Sequence, residues 1–295
     1  MTDTALDLDA ISRPTGTLAM VAMDQRESLR HMFDQAGAGR PADEVIVRFK
    51  LDVARTLGPL ASGFLIDRHY GFDAVRDALP SGTGLILAAD ELTQEEGGPV
   101  EETGLDEVVL SETDLHGVRA LKLLVIWRRD EKREQRVRLV ERFVAEAAAR
   151  GVLSVLEPVV RATPRELAEG TWDLVVAIRE AARELSVLGQ SLYKVQVPLN
   201  GTGDADAQLA ASIELNSAIT GPWVVLSQGV ERDAFLPAVE AACRAGASGF
   251  LAGRALWSDV VGAQDVAATL QRVSVPRLER LIQVVDREAR PWRHA

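Results

Sequence analysis

Residues 120–127 read ALKLLVIW, residues 152–157 read VLSVLE and residues 192–197 read LYKVQV. Each is a short, nearly continuous apolar run, and each carries one charge in a place where burial penalises it: Lys122, Glu157 and Lys194. Runs of this kind fit strands of a parallel sheet that is covered on both faces. Five more runs flank them: TLAMVAMD at 17–24, SGFLID at 62–67, GLILAAD at 84–90, WVVLS at 223–227 and GFLA at 249–252. Stretches with helical apolar spacing, including 43–56, separate most of them. Eight βα units in 295 residues, with no visible linker, predict a single-domain α/β (β/α)8 TIM barrel. A doubly wound open sheet is the alternative.

Three segments fall outside the alternation. Residues 1–13 are expected to be a polar N-terminal segment. Residues 91–117, with EGGPVEETGLDE at their centre, are expected to be a long acidic loop after the third strand, with room for a short helix. Residues 275–288 have helical apolar spacing that suits either closure of the barrel or packing on another subunit, so a homo-oligomer is expected.

Composition narrows the partners. The chain carries 33 Lys and Arg against 44 Asp and Glu, a net charge of −11. Such a field does not attract nucleic acid. No apolar run reaches the ~18 residues that span a bilayer, and residues 1–13 are unlike a signal peptide, so a soluble, cytoplasmic protein with no membrane partner is expected. A single cysteine, Cys243, excludes an intramolecular disulfide or a multi-cysteine metal site. The histidines, His31, His69, His116 and His294, lack metal-ligand spacing, and there is no GxGxxG or GxxxxGK[ST]. No metal and no cofactor are expected.

In a barrel the chemistry belongs to the C-terminal ends of the strands. Two lysines and a carboxylate on the fourth, fifth and sixth strands can satisfy one another there. An interior lysine loses its proton more easily under desolvation and a neighbouring ammonium, and a neutral amine can form a Schiff base with a ketone. A buried ion network without catalysis is the other reading. Ser227-Gln228-Gly229 and Gly253-Arg254 follow the last two strands, where barrels often bind phosphate; turn glycines and a surface arginine are the bland alternative. Asp24-Gln25-Arg26-Glu27 ends the first strand. Asp24 points to the mouth or caps a helix with Glu27 at capping-box spacing. Asp67, Asp90 and Glu91 also end strands, as substrate ligands or caps.

MDQR at 23–26, the strand with Lys122, the strand ending in Glu157, LYKVQVP with Lys194, LSQGV at 226–230 and AGRALW at 252–257 run through nearly the whole chain in order. Together they resemble the class I aldolase family that includes tagatose-1,6-bisphosphate aldolase. DQRES at 24–28, AADE at 88–91, KLLVIWRRDE at 122–131 and EPVVR at 157–161 are most similar to its sulfofructosephosphate aldolase branch. His69-Tyr70-Gly71 looks more like the tagatose-bisphosphate type. The resemblance implies retro-aldol cleavage of 6-deoxy-6-sulfofructose 1-phosphate, in sulfoquinovose breakdown, to dihydroxyacetone phosphate and 3-sulfolactaldehyde. It implies Lys194 as the Schiff-base lysine, Glu157 as the acid/base, and Lys122 as the group that keeps the nucleophile neutral and orients Glu157. Ser227, Gly229, Gly253 and Arg254 would hold the phosphate. Asp24, Gln25 and Arg26 match the strand-one motif and would act near the sugar chain, Asp24 with the catalytic groups and Gln25 and Arg26 as candidate sugar or sulfonate ligands. A tagatose- or fructose-1,6-bisphosphate aldolase, and a non-catalytic sugar-phosphate-binding barrel, remain open on the residues alone.

Overall fold

The computed structural model describes residues 7–96 and 98–295. Ten strands form: β1 (Leu18–Met23), β2 (Gly63–Ile66), β3 (Gly84–Ala88), β4 (Asp90–Gln94), β5 (Val100–Leu105), β6 (Val118–Trp127), β7 (Leu153–Val160), β8 (Leu192–Gln196), β9 (Trp223–Leu226) and β10 (Gly249–Ala252). Eight of them close a parallel barrel in the order β1-β10-β9-β8-β7-β6-β3-β2. Each of the eight expected runs is one barrel strand, and the open sheet is excluded. The helices are α1 (Glu27–Gln35), α2 (Asp43–Leu57), α3 (Phe72–Ala78), α4 (Glu107–Ser111), α5 (Arg133–Ala149), α6 (Pro164–Glu169), α7 (Leu174–Leu185), α8 (Ala205–Asn216), α9 (Arg232–Ala245), α10 (Arg254–Trp257), α11 (Val266–Thr269) and α12 (Val275–Glu288).

Strand alternation decides what points inward. Ala120, Leu153, Val155, Leu192, Val224 and Leu251 fill the barrel with Met20, Ala22, Leu65 and Ile86. Their alternate neighbours, such as Leu121, Leu123, Leu156, Tyr193 and Val195, pack outward under the helices. A period of two therefore carries Lys122, Glu157 and Lys194 into the barrel, each two residues beyond an inward apolar side chain.

The N-terminal segment is not simply polar. Residues 1–6 of it lie outside the described residues, but Leu8–Ile11 form a 3-10 turn whose Leu8 and Ile11 are buried in the barrel's inner cluster. They plug the end opposite the mouth, and Trp292 packs on the same cluster with its backbone N–H donating to Gly16 O at 2.9 Å.

The acidic segment is a hairpin rather than a loop. β4 and β5 pair antiparallel from Asp90↔Leu105 to Gln94↔Val100, and α4 follows. Distant cations hold its carboxylates: Arg40 meets Glu96 at 2.8 Å, Arg128 meets Glu101 at 2.5 Å, and Arg136 meets Glu102 at 3.0 Å. Charges that would repel one another along a bare loop are thus paired off on both sides.

Helix α12 buries Leu278, Leu281, Val284 and Val285 within the chain, packed on α9 and β1. The apolar face that suggested a subunit contact closes the helical ring instead, so it gives no support to an oligomer. Among the described residues no helix is long and apolar enough to cross a membrane.

Candidate active site

Lys122 is almost fully buried, which on its own would favour the neutral amine. Three carboxylates reverse that. Its Nζ lies 2.7 Å from Asp24 Oδ2, 3.0 Å from Asp90 Oδ2 and 2.9 Å from Glu157 Oε2. Burial pulls its pKa down, but Asp24, Asp90 and Glu157 together push it well above the usual lysine value. Lys122 is a fixed ammonium, and the expectation that an interior lysine is easily deprotonated fails for it. Burial likewise pushes the Asp24 carboxyl up, but Lys122, Lys194 and Arg26 outweigh it and hold Asp24 well below the ordinary carboxylate range.

Glu157 is shared. Its Oε2 contacts Lys122 without an aligned hydrogen bond, and its Oε1 lies 2.9 Å from Lys194 Nζ. The register explains the meeting: Glu157 is level with Leu124 of β6, one inward step beyond Lys122, while Lys194 comes from β8 on the other side. The side chains of Lys194 and Glu157 are 4% and 7% exposed, dry enough for their charges to be strongly felt.

Asp90 does more than end a strand. Its carboxylate takes Lys122, accepts the Leu124 N–H at 3.0 Å and binds Arg26 at 3.0 Å, and its carbonyl accepts a second Arg26 bond at 2.9 Å. Asp24 does not cap a helix: α1 begins at Glu27 with Arg26 as its N-cap and no side-chain cap bond. Asp67 is neither a cap nor a mouth ligand alone. It pairs with the fully buried Lys50 and accepts the Tyr70 N–H at 2.9 Å. The Tyr70 ring lies under Arg30 and Lys50. His69, Glu91 and Asp106 gather within 4.8 Å of one another, a proximity that sequence spacing hid. Asp106 is already engaged there by Arg68 at 2.5 Å and by the amides that begin α4.

A cavity of about 420 Å³ opens above the network. Asp24, Gln25, Arg26, Lys122, Glu157 and Arg254 are on its wall, six of the residues singled out in the sequence. Lys194 lies behind Glu157. Ser227, Gly229 and Gly253 are adjacent rather than on the wall, where Gln228 and Arg254 represent their loops. Gly229 adopts a left-handed φ of 81°. At Gly253 a Cβ would stand 2.6 Å from Ala22 O and 3.2 Å from Gln25 Nε2, so only glycine lets the β10 turn close against β1.

The sequence reading missed the roof and one cation. Leu92, Gln94 and Val100 of the hairpin, with His31 and Gln35 of α1, complete the wall. Arg161 also faces the cavity. It was hidden because Pro158 reads as a strand end, yet β7 runs on to Val160. Beyond Leu156 β7 is paired with β6 only, and the Val160 N–H is taken by Gln196 Oε1 at 2.7 Å. A proline is tolerated in such a one-sided stretch. The continuing apolar PVV was the available signal.

A parallel barrel with a lysine–carboxylate–lysine centre at the C-terminal ends of its strands has the parts that Schiff-base aldolases, lyases of carbon–carbon bonds, require. Residues 18–259 match the family described as DeoC/LacD family aldolase, and the chain belongs to that family. It is 27% identical to tagatose 1,6-diphosphate aldolase 2 of Streptococcus agalactiae, over 97% of this chain and 96% of that one. It is 28% identical to tagatose 1,6-diphosphate aldolase of Listeria monocytogenes, over 97% and 92%. Among solved structures, fructose-bisphosphate aldolase from Slackia heliotrinireducens superposes with TM-score 0.66 at 19% identity, over 95% of this chain and 88% of that one. The Plasmodium falciparum fructose-bisphosphate aldolase gives 0.68 at 13% identity, over 97% and 96%. These two likenesses speak for the fold.

Proposed function

We propose that the chain is a class I aldolase that cleaves 6-deoxy-6-sulfofructose 1-phosphate to dihydroxyacetone phosphate and 3-sulfolactaldehyde, with Lys194 as nucleophile. The observation that carries the chemistry is Glu157, 2.9 Å from each of two lysines of which one is a fixed ammonium. The Lys194 proton passes to Glu157 across that contact, and the neutral amine attacks the C2 ketone. Glu157 returns the proton to the departing hydroxyl as water leaves, and a protonated imine remains. The Glu157 carboxylate then takes the C4 hydroxyl proton. The C3–C4 bond breaks, its electrons move to the imine nitrogen, and the aldehyde departs. Reprotonation of the enamine at C3 and hydrolysis release dihydroxyacetone phosphate. Lys122 orients the Glu157 carboxyl toward Lys194, and Asp24 and Asp90 hold Lys122 in place. Ser227, Gly229, Gly253 and Arg254 surround the C1 phosphate, and Gln25 and Arg26 border the sugar chain.

Charge supports the sulfosugar. Asp24, Asp90 and Glu157 face Lys122, Lys194 and Arg26 as an even set, and among the described residues only Arg161 and Arg254 face the cavity without an ion-pair partner. A sulfonate has one negative charge where a phosphate has about 1.5 to 2, so the sulfosugar demands fewer cations than a bisphosphate. His69-Tyr70-Gly71, the stretch closer to the tagatose-bisphosphate type, is not on the cavity wall.

The names of the two relatives favour a second reading, cleavage of tagatose or fructose 1,6-bisphosphate by the same lysine. Retro-aldol turnover of the three substrates, read through coupled reduction of dihydroxyacetone phosphate, decides. A kcat/KM about tenfold higher for the sulfosugar, or ~1.4 kcal/mol of transition-state discrimination, supports the first reading. A preference for a bisphosphate replaces it with the second. No turnover of any of the three, with no borohydride-stable adduct, points to a non-catalytic binding barrel.

A further inference from the structure

The geometry points to Arg161 as the residue that receives the anion at the far end of the substrate, and so as a determinant of which six-carbon substrates are accepted. This rests on the aldolase reading and gives a place on the substrate to a residue that reading counts only as a charge.

The barrel order supplies the direction. With the nucleophile on β8 and the C1 phosphate at the ends of β9 and β10, the remaining carbons must run the other way, over β7 and β6. Glu157 on β7 would then face C3 and C4. Arg161 stands four residues farther on, just past the end of β7 and about 13 Å away in backbone rise, and its side chain can reach back toward the mouth. It faces the cavity, and its Nε is shielded from solvent without a hydrogen-bond partner.

The neighbouring cation on this side is not available. Arg128 gives both arms to Glu101, one to the carbonyl at 2.8 Å and one to the carboxylate at 2.5 Å. Arg26, toward β1, is held by Asp90. Arg161 has no ion-pair partner among the described residues. Burial and the like charges of Arg128 and Arg254 disfavour its cationic form, while Glu101 offsets only part of this. A half-buried guanidinium left in this state gains most from an anion brought by the substrate. One such group suits one oxyanion, and a sulfonate needs no more.

Arg161→Gln tests the assignment with three probes. The six-carbon substrate found to turn over best has an anion at each end, fructose 1-phosphate lacks the distal one, and dihydroxyacetone phosphate is the C1 half alone. The variant is expected to lose at least about tenfold in kcat/KM on the first, chiefly through KM, as loss of a charge-assisted hydrogen bond would give. Fructose 1-phosphate turnover and borohydride trapping of dihydroxyacetone phosphate should stay within about twofold, and Arg161→Lys should recover part of the loss. An unchanged KM for the six-carbon substrate overturns the proposal. So does an equal loss on all three probes, which would move Arg161 to the C1 phosphate. Failure of the wild type to trap dihydroxyacetone phosphate would instead reject the Schiff-base reading beneath it.

Discussion

Lys122 Nζ stands 2.7 Å from Asp24 Oδ2, joining side chains 98 positions apart across the barrel mouth. Because Asp90 and Glu157 share the same ammonium, its removal leaves three carboxylates crowded, Asp24 without a paired cation and Asp90 and Glu157 with only Arg26 and Lys194. Lys122→Met is therefore expected to cost about 3–5 kcal/mol, as for one partner lost from a buried ion pair. Chemical denaturation at pH 7 measures it. The pH dependence follows from Asp24. Its folded pKa lies below its unfolded value, so its stabilisation is complete above about pH 4 and is lost as pH falls through the folded value. Asp24→Asn should flatten the acid limb of the stability curve, and an unaltered limb would contradict the assignment.

The two halves of the chemistry separate by mutation. Lys194→Met removes the amine, so borohydride with dihydroxyacetone phosphate should leave no mass increase on the protein. Glu157→Gln keeps the amine but cannot accept the C4 proton. It should retain some trapped adduct while turnover falls by about 10²–10⁴, the usual weight of a placed acid/base. Intact-protein mass spectrometry beside steady-state rates reads both. Normal turnover in either variant would remove that residue from its role.

Gly253→Ala puts a methyl group 2.6 Å from the Ala22 carbonyl, where β1 and β10 are paired and cannot part freely. A destabilisation of about 1–3 kcal/mol is expected, as for other overpacked sites. The shift should also weaken inhibition by inorganic phosphate, because the same turn carries Arg254 into the cavity. An alanine variant with wild-type melting and inhibition would mean that the turn yields without consequence.

The eight barrel strands were legible because each is an apolar run bounded by polar residues, and buried parallel strands leave little else in a sequence. Lys122, Glu157 and Lys194 were legible for the opposite reason: each breaks such a run. The hairpin was not. Its residues 90–105 are acidic and interrupted by Gly97-Gly98-Pro99, and the groups that steady it, Arg40, Arg128 and Arg136, are distant in sequence. Asp90 was seen only as a strand end, since nothing local tells which cation a carboxylate will meet. Arg161 was lost to Pro158, which usually ends a strand but here sits where one side of β7 is unpaired.

The plug at the foot of the barrel has a practical consequence. Trp292 bonds to Gly16, and Arg13 grips Asp286 at 2.8 Å, so residues 13–16 and the last turns of the described chain lie side by side on the face opposite the cavity. A bead, a dye or a fused protein attached through the carboxyl end would hang behind the catalyst. An immobilised preparation should then keep its entrance turned toward the bulk solution.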